Sequence, residues 1–84
     1  MDLQPDLQIS EEVRQALEKR MILEQDLRRV LAYAEESRDF IDDPSTGRRL
    51  ASLRAACVTY WVEYTVSDGV FRVHDAWSHR MEVR

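Results

Sequence analysis

A pair of strand-like segments joined by Asp68-Gly69 constrains the fold more than any other part of this sequence. Apolar or aromatic residues alternate with polar ones on both sides of this dipeptide, across residues 58–77. Asp-Gly favours a type I′ turn, in which both central residues have positive φ, and such a turn joins two antiparallel strands tightly. The sequence therefore predicts a β-hairpin centred on residues 68 and 69.

A two-residue loop also fixes the register of the hairpin. The predicted cross-strand pairs are Ser67 with Val70, Tyr64 with Val73, Glu63 with His74, and Tyr60 with Trp77. In this register one face gathers most of the apolar side chains, so we expect it to face the core. That face carries Val58, Tyr60, Val62, Tyr64 and Val66 beside Phe71, Val73, Asp75 and Trp77. The other face carries Thr59, Trp61, Glu63 and Thr65 beside Arg72, His74 and Ala76, so Trp61 is a large ring on a mostly polar face.

The N-terminal half of the chain is predicted to be helical over about residues 11–37. Ser10 suits an N-cap position, and acidic residues follow it where the helix dipole favours them. Apolar residues recur at the 3.6-residue period of a helix. One helix of this length would span roughly 40 Å, which is long for so small a domain, and Arg20 and Glu24 would interrupt its apolar stripe. One long helix and two helices with a break near residues 20–24 both remain open. Residues 1–8 are expected to form a flexible arm.

The C-terminal half is predicted to form a small antiparallel sheet of three to four strands over about residues 40–83. A short strand at 40–42 is followed by a turn at 43–47, with Pro44 early and Gly47 late. Residues 48–54 form a strand or a turn-rich connection before the hairpin. Because the helices precede the strands, the predicted fold class is α+β, with the helical segment packed on one face of the sheet.

The composition indicates one globular domain over residues 1–84. The chain has no apolar run long enough to span a membrane and no pattern of a secretory signal. Its net charge of −4 divides into −6 over residues 1–43 and +2 over residues 44–84, and the latter is too small for a general nucleic-acid surface. The single Cys57 cannot form an internal disulfide, so we expect a cytoplasmic protein. Cys57 has no flanking lysine or histidine that would lower its pKa, so we expect a buried, unreactive thiol.

Several ionisable residues of the hairpin are candidates for chemistry. Asp75 falls in the apolar row, where a buried carboxyl group could act as a general acid or base. We favour a bulge near residues 74–76 that turns it outward, or an arginine or tyrosine hydroxyl that satisfies it. A small metal-binding or hydrolytic enzyme would use Glu63, His74, Asp75 and His79. Cross-strand acid–imidazole pairs more often stabilise a sheet, and no metal-ligand spacing is present, so we expect no cofactor and no metal.

Trp61 carries the binding hypothesis, because a large ring on the polar face of a hairpin needs a cover. With an arginine it could present a stacking surface, and exposed apolar patches typically mark interaction sites. The predicted binding surface consists of Trp61, Glu63, Arg72, His74, His79 and Arg80.

The hairpin strings VTYWVEY (58–64), GVFRVH (69–74) and AWSHRMEV (76–83), with the turn at 44–48, also support a resemblance. Together they resemble a small uncharacterised bacterial domain that occurs alone or attached to pyridine-nucleotide-disulfide and iron–sulfur oxidoreductases, including glutamate-synthase-like ones. The resemblance covers about residues 9–83 and implies an accessory role beside a redox enzyme. It transfers no chemistry to particular residues. The hypothesis from sequence is therefore a non-catalytic accessory or protein-interaction domain that binds an oxidoreductase or a second copy of itself.

Overall fold

The computed structural model describes residues 6–55 and 57–80, apart from the side chain of Arg80. The elements along the chain are β1 (Asp6–Ile9), α1 (Glu11–Lys19), α2 (Glu24–Ser37), β2 (Phe40–Asp43), β3 (Arg48–Ala55), β4 (Val58–Ser67) and β5 (Val70–Arg80). The strands form one sheet in the order β1-β5-β4-β3-β2. The α+β class is thus confirmed. Among the described residues, no helix is both long and apolar enough to cross a membrane.

The sheet differs from the predicted one in the number and direction of its strands. It has five strands and is mixed, because β1 pairs in parallel with residues 70–73 of β5. Leu7 and Ile9 of β1 pack against the core, so residues 6–8 belong to a strand where a flexible arm was expected. A four-residue alternation is too short to be distinguished from a loop by its period alone. Residues 1–5 of the expected arm lie outside the described residues.

The helical segment contains two helices, one of the two predicted alternatives. Met21, just beyond α1, has a left-handed φ of 60°. The N–H of Ile22 donates to the carbonyl of Leu17 at 2.9 Å, which satisfies a backbone acceptor at the end of the helix. At the start of α2, the Asp26 carboxylate accepts the N–H of Leu23 at 3.0 Å. The break also brings Ile22 into the core, where it is 5% exposed.

Three predicted local features are confirmed. The Ser10 hydroxyl accepts the N–H of Val13 at 3.3 Å as the N-cap of α1. Asp68 and Gly69 have φ of 51° and 77°, as a type I′ turn requires. The turn between β2 and β3 spans residues 44–47, and Gly47 takes its left-handed position with φ of 73°. The chain reversals are therefore set by local sequence.

Both helices pack against the same face of the sheet and enclose one apolar cluster. The helices contribute Leu17, Ile22, Leu27, Val30, Leu31 and Ala34, and the strands contribute Ala51, Val62, Tyr64, Val73 and Ala76. Tyr64 is fully buried, and its hydroxyl donates to Oε2 of Glu35 at 2.8 Å. Nη1 of Arg49 lies 3.1 Å from the same oxygen. This polar contact ties α2 to β3 and β4 beside the core.

A β-bulge on β5 changes the register of the hairpin. From the turn as far as the pair Tyr64–Val73, the pairing agrees with the prediction. The next pair is Glu63 with Asp75, which leaves His74 as the extra residue of β5. The expected bulge near residues 74–76 is thus confirmed. The predicted opposition of Glu63 and His74 is wrong, because the extra residue displaces every later pair by one.

The bulge also reverses which side chains of β5 face the core. Ala76 is 1% exposed within the apolar cluster. Trp77 lies opposite Trp61 on the other face of the sheet, so its predicted position in the core and its predicted pairing with Tyr60 are wrong. One extra residue has this effect because side chains alternate between faces with a period of two.

Candidate interaction surface

The face of the sheet opposite the helices carries the residues that the sequence singled out. We call it the open face, and it is defined by Ile41, Arg48, Leu50, Ser52, Arg54, Thr59, Trp61, Glu63, Thr65, Arg72, His74, Trp77 and His79. These positions alternate with the core positions on β2, β3, β4 and β5. Helices of the described chain pack only on the other side, because their buried residues meet the opposite set of strand side chains.

The centre of the open face is aromatic. Trp61 has Ser52 as its neighbour on β3 and Trp77 as its neighbour on β5, and we call these three residues the tryptophan row. Both tryptophans are partly exposed, and neither belongs to the buried core cluster. Beside this row lies Leu50, paired with Ile41, which is 64% exposed. The predicted exposed-face position of Trp61 is confirmed, and Trp77 doubles the aromatic surface there.

The charged residues next to the tryptophan row form contacts that differ from the predicted ones. Nη1 of Arg48 lies 2.7 Å from Oε1 of Glu63 in an ion pair. Nε2 of His74 lies 3.0 Å from Oγ1 of Thr65. Burial lowers the pKa of His74 below 6.5, and the positive charge of Arg48 lowers it further, against an opposing effect of Glu63. Glu63 and His74 are therefore each held by another residue.

Asp75 is engaged at the edge of the sheet. β1 pairs with β5 only as far as Val73, so beyond Val73 no strand among the described residues neighbours β5 on that side. Nη1 of Arg20 lies 2.8 Å from Oδ1 of Asp75 and donates to the carbonyl of Ala76 at 2.6 Å. The N–H of Ala76 donates to Oδ1 of Asp75 at 2.8 Å. An arginine thus pairs with this carboxylate, as expected. Together, Arg20 and Asp75 provide hydrogen-bond partners for the backbone carbonyl and N–H of Ala76, which β1 does not reach.

The remaining predicted site residues are spread along β5. Arg72 donates to Oε1 of Gln8 at 3.2 Å. His79 is exposed and lies opposite Thr59 near the other end of the strand. The side chain of Arg80 lies outside the described residues. The structure therefore does not gather the predicted site residues into one cluster.

Distance along the strands divides the predicted surface into two parts. Arg72 lies opposite Thr65, four residues from Trp61 along β4, which corresponds to about 13 Å. Trp61 and Glu63 therefore belong to the centre of the open face, whereas Arg72 and His74 lie near the end of β1. Stacking of Arg72 on Trp61 is incompatible with this separation. The guanidinium found over a ring in the described chain is that of Arg49, 4.4 Å from the Phe40 centroid.

Cys57 does not fit the expectation of a buried thiol. It is exposed, in the short connection between β3 and β4. No second layer covers a turn that lies beyond the ends of its strands, so burial is lost there. In the part of the chain that the structure describes, no group of three or more His, Cys, Asp or Glu residues could hold a metal ion. The carboxylates of the alternative enzyme site are instead paired with arginines.

Sequence reasoning missed several residues of this surface. Trp77 was assigned to the core because no signal placed the bulge at a particular residue. Arg48 and Arg20, which hold Glu63 and Asp75, come from distant parts of the chain. Comparison of the chain with protein-family models, with curated proteins and with solved structures found no match in any of the three. Function is therefore inferred from the geometry of the described residues.

Proposed function

We propose that this domain is a non-catalytic protein-interaction module that binds a partner protein through the open face of its sheet. The observation that supports the proposal is the pairing of Trp61 with Trp77 on a face that the two helices do not cover. Tryptophan is enriched among the residues that contribute most to protein–protein affinity, because one ring buries a large area at a small entropic cost. Leu50 and the exposed Ile41 extend the apolar surface.

The charges of the open face indicate the chemistry of the partner. Arg48 is neutralised by Glu63. Arg54 and Arg72 have no carboxylate partner within residues 6–55 and 57–80. These two arginines therefore present positive charge without an ion-pair partner on this face, although the chain carries a net charge of −4. A partner surface with an apolar centre and an acidic rim would complement the open face in hydrophobicity and in charge. Such a partner would associate with the domain faster at low salt.

The identity of the partner is the part of the proposal that the sequence resemblance supports. Because the chain resembles a domain attached to oxidoreductases, the proposed partner is a pyridine-nucleotide-disulfide or iron–sulfur oxidoreductase. We assign the domain an accessory role rather than a catalytic one, because the carboxylates nearest the tryptophan row, those of Glu63 and Asp75, are paired with arginines. A second copy of the chain is the alternative partner, and it would bury the same row about a two-fold axis.

Binding studies with purified components test the proposal. A photoreactive amino acid at Ser52, within the tryptophan row, would first trap the partner for identification. Binding is then measured by calorimetry with the wild type, with Trp61→Thr and with Trp77→Thr. Each tryptophan variant should weaken binding by about thirtyfold or more, the factor expected for a central interface residue. Tyr33→Ala is the matched control, because Tyr33 is an aromatic residue of α2 that is 43% exposed.

Two results would contradict the proposal in different ways. Unchanged affinity in both Trp61→Thr and Trp77→Thr would show that the open face is not the binding surface. Sedimentation analysis decides between the two kinds of partner: a monomer at about 100 μM removes the self-association alternative, since stable dimers of this size associate well below that concentration. Loss of binding in Tyr33→Ala would place the interface on the helical side.

A further inference from the structure

A groove of about 530 Å³ lies where β1 ends, beside the bulge of β5 and the start of α1. Four polar residues line it: Gln8, Ser10, Arg72 and His74. The apolar part of its lining consists of Ile9, Val13 and Val73. Its size is within the range of small-molecule sites, which are typically about 300–1,000 Å³.

The groove arises from the way three elements separate at one point. β1 follows β5 as far as the pair Ile9–Val73, and the chain then enters α1 through the single residue Ser10. At the same level, β5 bulges at His74. The space between the departing helix and the bulged strand is the groove, so the backbone of three elements fixes its shape.

The polar side of the groove carries an uncompensated positive charge. Arg72 donates to the neutral amide oxygen of Gln8 and has no carboxylate partner in the described chain. Three nearby acidic residues have other contacts: Glu11 accepts a hydrogen bond from Gln15, Glu63 pairs with Arg48, and Asp75 pairs with Arg20. Asp6 lies two positions before Gln8 on β1 and forms no ion pair with Arg72 in the described chain. An arginine in this state favours an anionic group, which it binds through two parallel hydrogen bonds.

Two further polar groups border the same space. Nε2 of His74 faces Thr65, which leaves the other ring nitrogen without a hydrogen-bond partner in the described chain. The Ser10 hydroxyl oxygen accepts the N–H of Val13 and keeps its own hydrogen to donate. A ligand anion would therefore meet a cation and a hydroxyl donor above an aliphatic floor.

We propose that this groove binds a small carboxylate with a short branched aliphatic chain. Its carboxylate lies against Arg72 and Ser10, and its aliphatic part rests on the partly buried side chains of Ile9 and Val13. The aliphatic floor favours such a ligand over inorganic phosphate, because phosphate has no apolar part to place against it. Arg72 lies about 13 Å from Trp61 along the strands, so the site is separate from the tryptophan row and goes beyond the interaction proposed above.

A titration of the ¹⁵N-labelled full chain with 3-methylbutanoate tests the proposal by NMR. We expect saturable shifts of the backbone amides of Gln8, Ser10 and His74, with a dissociation constant of about 1 mM or below. Arg72→Gln should weaken binding at least tenfold. Arg54→Gln is the matched control, because it removes an exposed arginine from the same face away from the groove. Trp61→Thr should leave the titration unchanged, so this proposal and the protein-interaction proposal fail independently.

Three outcomes would overturn the inference. The first is the absence of saturation up to about 20 mM ligand, which is far above the expected dissociation constant. The second is an equal loss in Arg72→Gln and Arg54→Gln, which would indicate only general attraction of anions. The third is tighter binding of inorganic phosphate than of 3-methylbutanoate in a parallel titration, which would show that the aliphatic floor contributes nothing.

Discussion

Trp61 of β4 lies directly opposite Trp77 of β5 on the face of the sheet that the helices leave open. This pairing exists because one extra residue, His74, shifts the second half of β5 relative to β4. Without the bulge, Trp77 would face the core in the place of Ala76. The bulge therefore links the composition of the core to the aromatic character of the outer surface.

The open position of the tryptophans predicts that they contribute little to stability. Trp61→Thr should lower the free energy of unfolding by about 1–2 kcal/mol, because the ring is partly buried between Ser52 and Trp77. Leu31→Ala, at a fully buried position of α2, should cost about 2–5 kcal/mol. Urea unfolding followed by circular dichroism measures both. A loss of several kcal/mol in Trp61→Thr would show that the row has a structural role instead.

The hydroxyl of Tyr64 predicts a stability effect that depends on pH. Burial and the hydrogen bond to Glu35 raise the pKa of Tyr64 well above its ordinary value of 10.0. Tyr64→Phe should cost about 1–2 kcal/mol at neutral pH, because it removes the buried hydroxyl that donates to Oε2 of Glu35 and leaves that oxygen with Arg49. The stabilisation is fully present below pH 10 and is lost above it, where the unfolded chain ionises and the folded phenol does not.

Comparison of the wild type with Tyr64→Phe isolates this effect from the other tyrosines. The difference between their unfolding free energies should shrink as the pH rises above 10. In an absorbance titration, the extra phenolate of the wild type should appear only when the protein unfolds. A Tyr64 that titrates in the folded protein at its ordinary value would refute the buried contact with Glu35.

Arg20 and Asp75 predict protection of a strand edge rather than a large gain in stability. Their side chains are 44% and 47% exposed, so breaking the ion pair should cost less than about 1 kcal/mol. Asp75→Ala should accelerate hydrogen exchange at the Ala76 amide, which loses its acceptor. Arg20→Gln should increase self-association at high concentration, because an unblocked edge can pair with another strand.

Hydrogen-exchange NMR and sedimentation velocity measure these two effects. Arg29→Gln is the control, since Arg29 is a more exposed arginine of α2 in a long ion pair of 3.9 Å. If the Ala76 amide exchanges at the same rate in Asp75→Ala, the carboxylate does not satisfy the edge.

His74 predicts a second pH dependence, in the acid range. Burial and the charge of Arg48 lower the pKa of His74 in the folded state below 6.5. The unfolded chain therefore takes up a proton first as the pH falls, so stability is highest above pH 6.5 and declines as the pH falls through the folded value. Arg48→Gln should raise the pKa of His74 but leave the part of the shift that burial causes.

The imidazole ring signals of His74, followed by NMR from about pH 4 to pH 8, measure this change. Arg54→Gln provides the comparison, because it removes a charge from the open face without touching the residues that shift His74. An unchanged value in Arg48→Gln would mean that the charge of Arg48 does not lower the pKa of His74.

The parts of the fold that depend on neighbouring residues could be predicted. The Asp68-Gly69 turn, the Ser10 cap and the Gly47 turn each need a specific backbone conformation that a few residues supply. The first pairs of the hairpin follow from its turn for the same reason. The apolar stripe did not show whether the helical segment breaks near Met21. The residue with left-handed φ there is not a glycine and carries no sequence signal.

The parts that depend on distant partners could not be predicted. β1 is a strand because β5 offers it an unpaired edge, and the alternation of its four residues is too short to reveal this. Glu63 and Asp75 were assigned to a possible common site, yet their arginines come from β3 and from the end of α1. Ion pairs across elements depend on the packed arrangement, which no local pattern contains.

The sequence by itself thus determined the α+β class, the turns, the N-cap and the presence of a tryptophan on the outer face of a hairpin. Tertiary structure alone decided that β1 joins the sheet and at which residue β5 bulges. The position of the bulge in turn places the second tryptophan on that face. The physical reason is that turns and caps are satisfied within a few residues, whereas a bulge is selected by the packing of the whole strand. Placing Ala76 under the helices and Arg20 on its free backbone edge required both ends of the chain to meet.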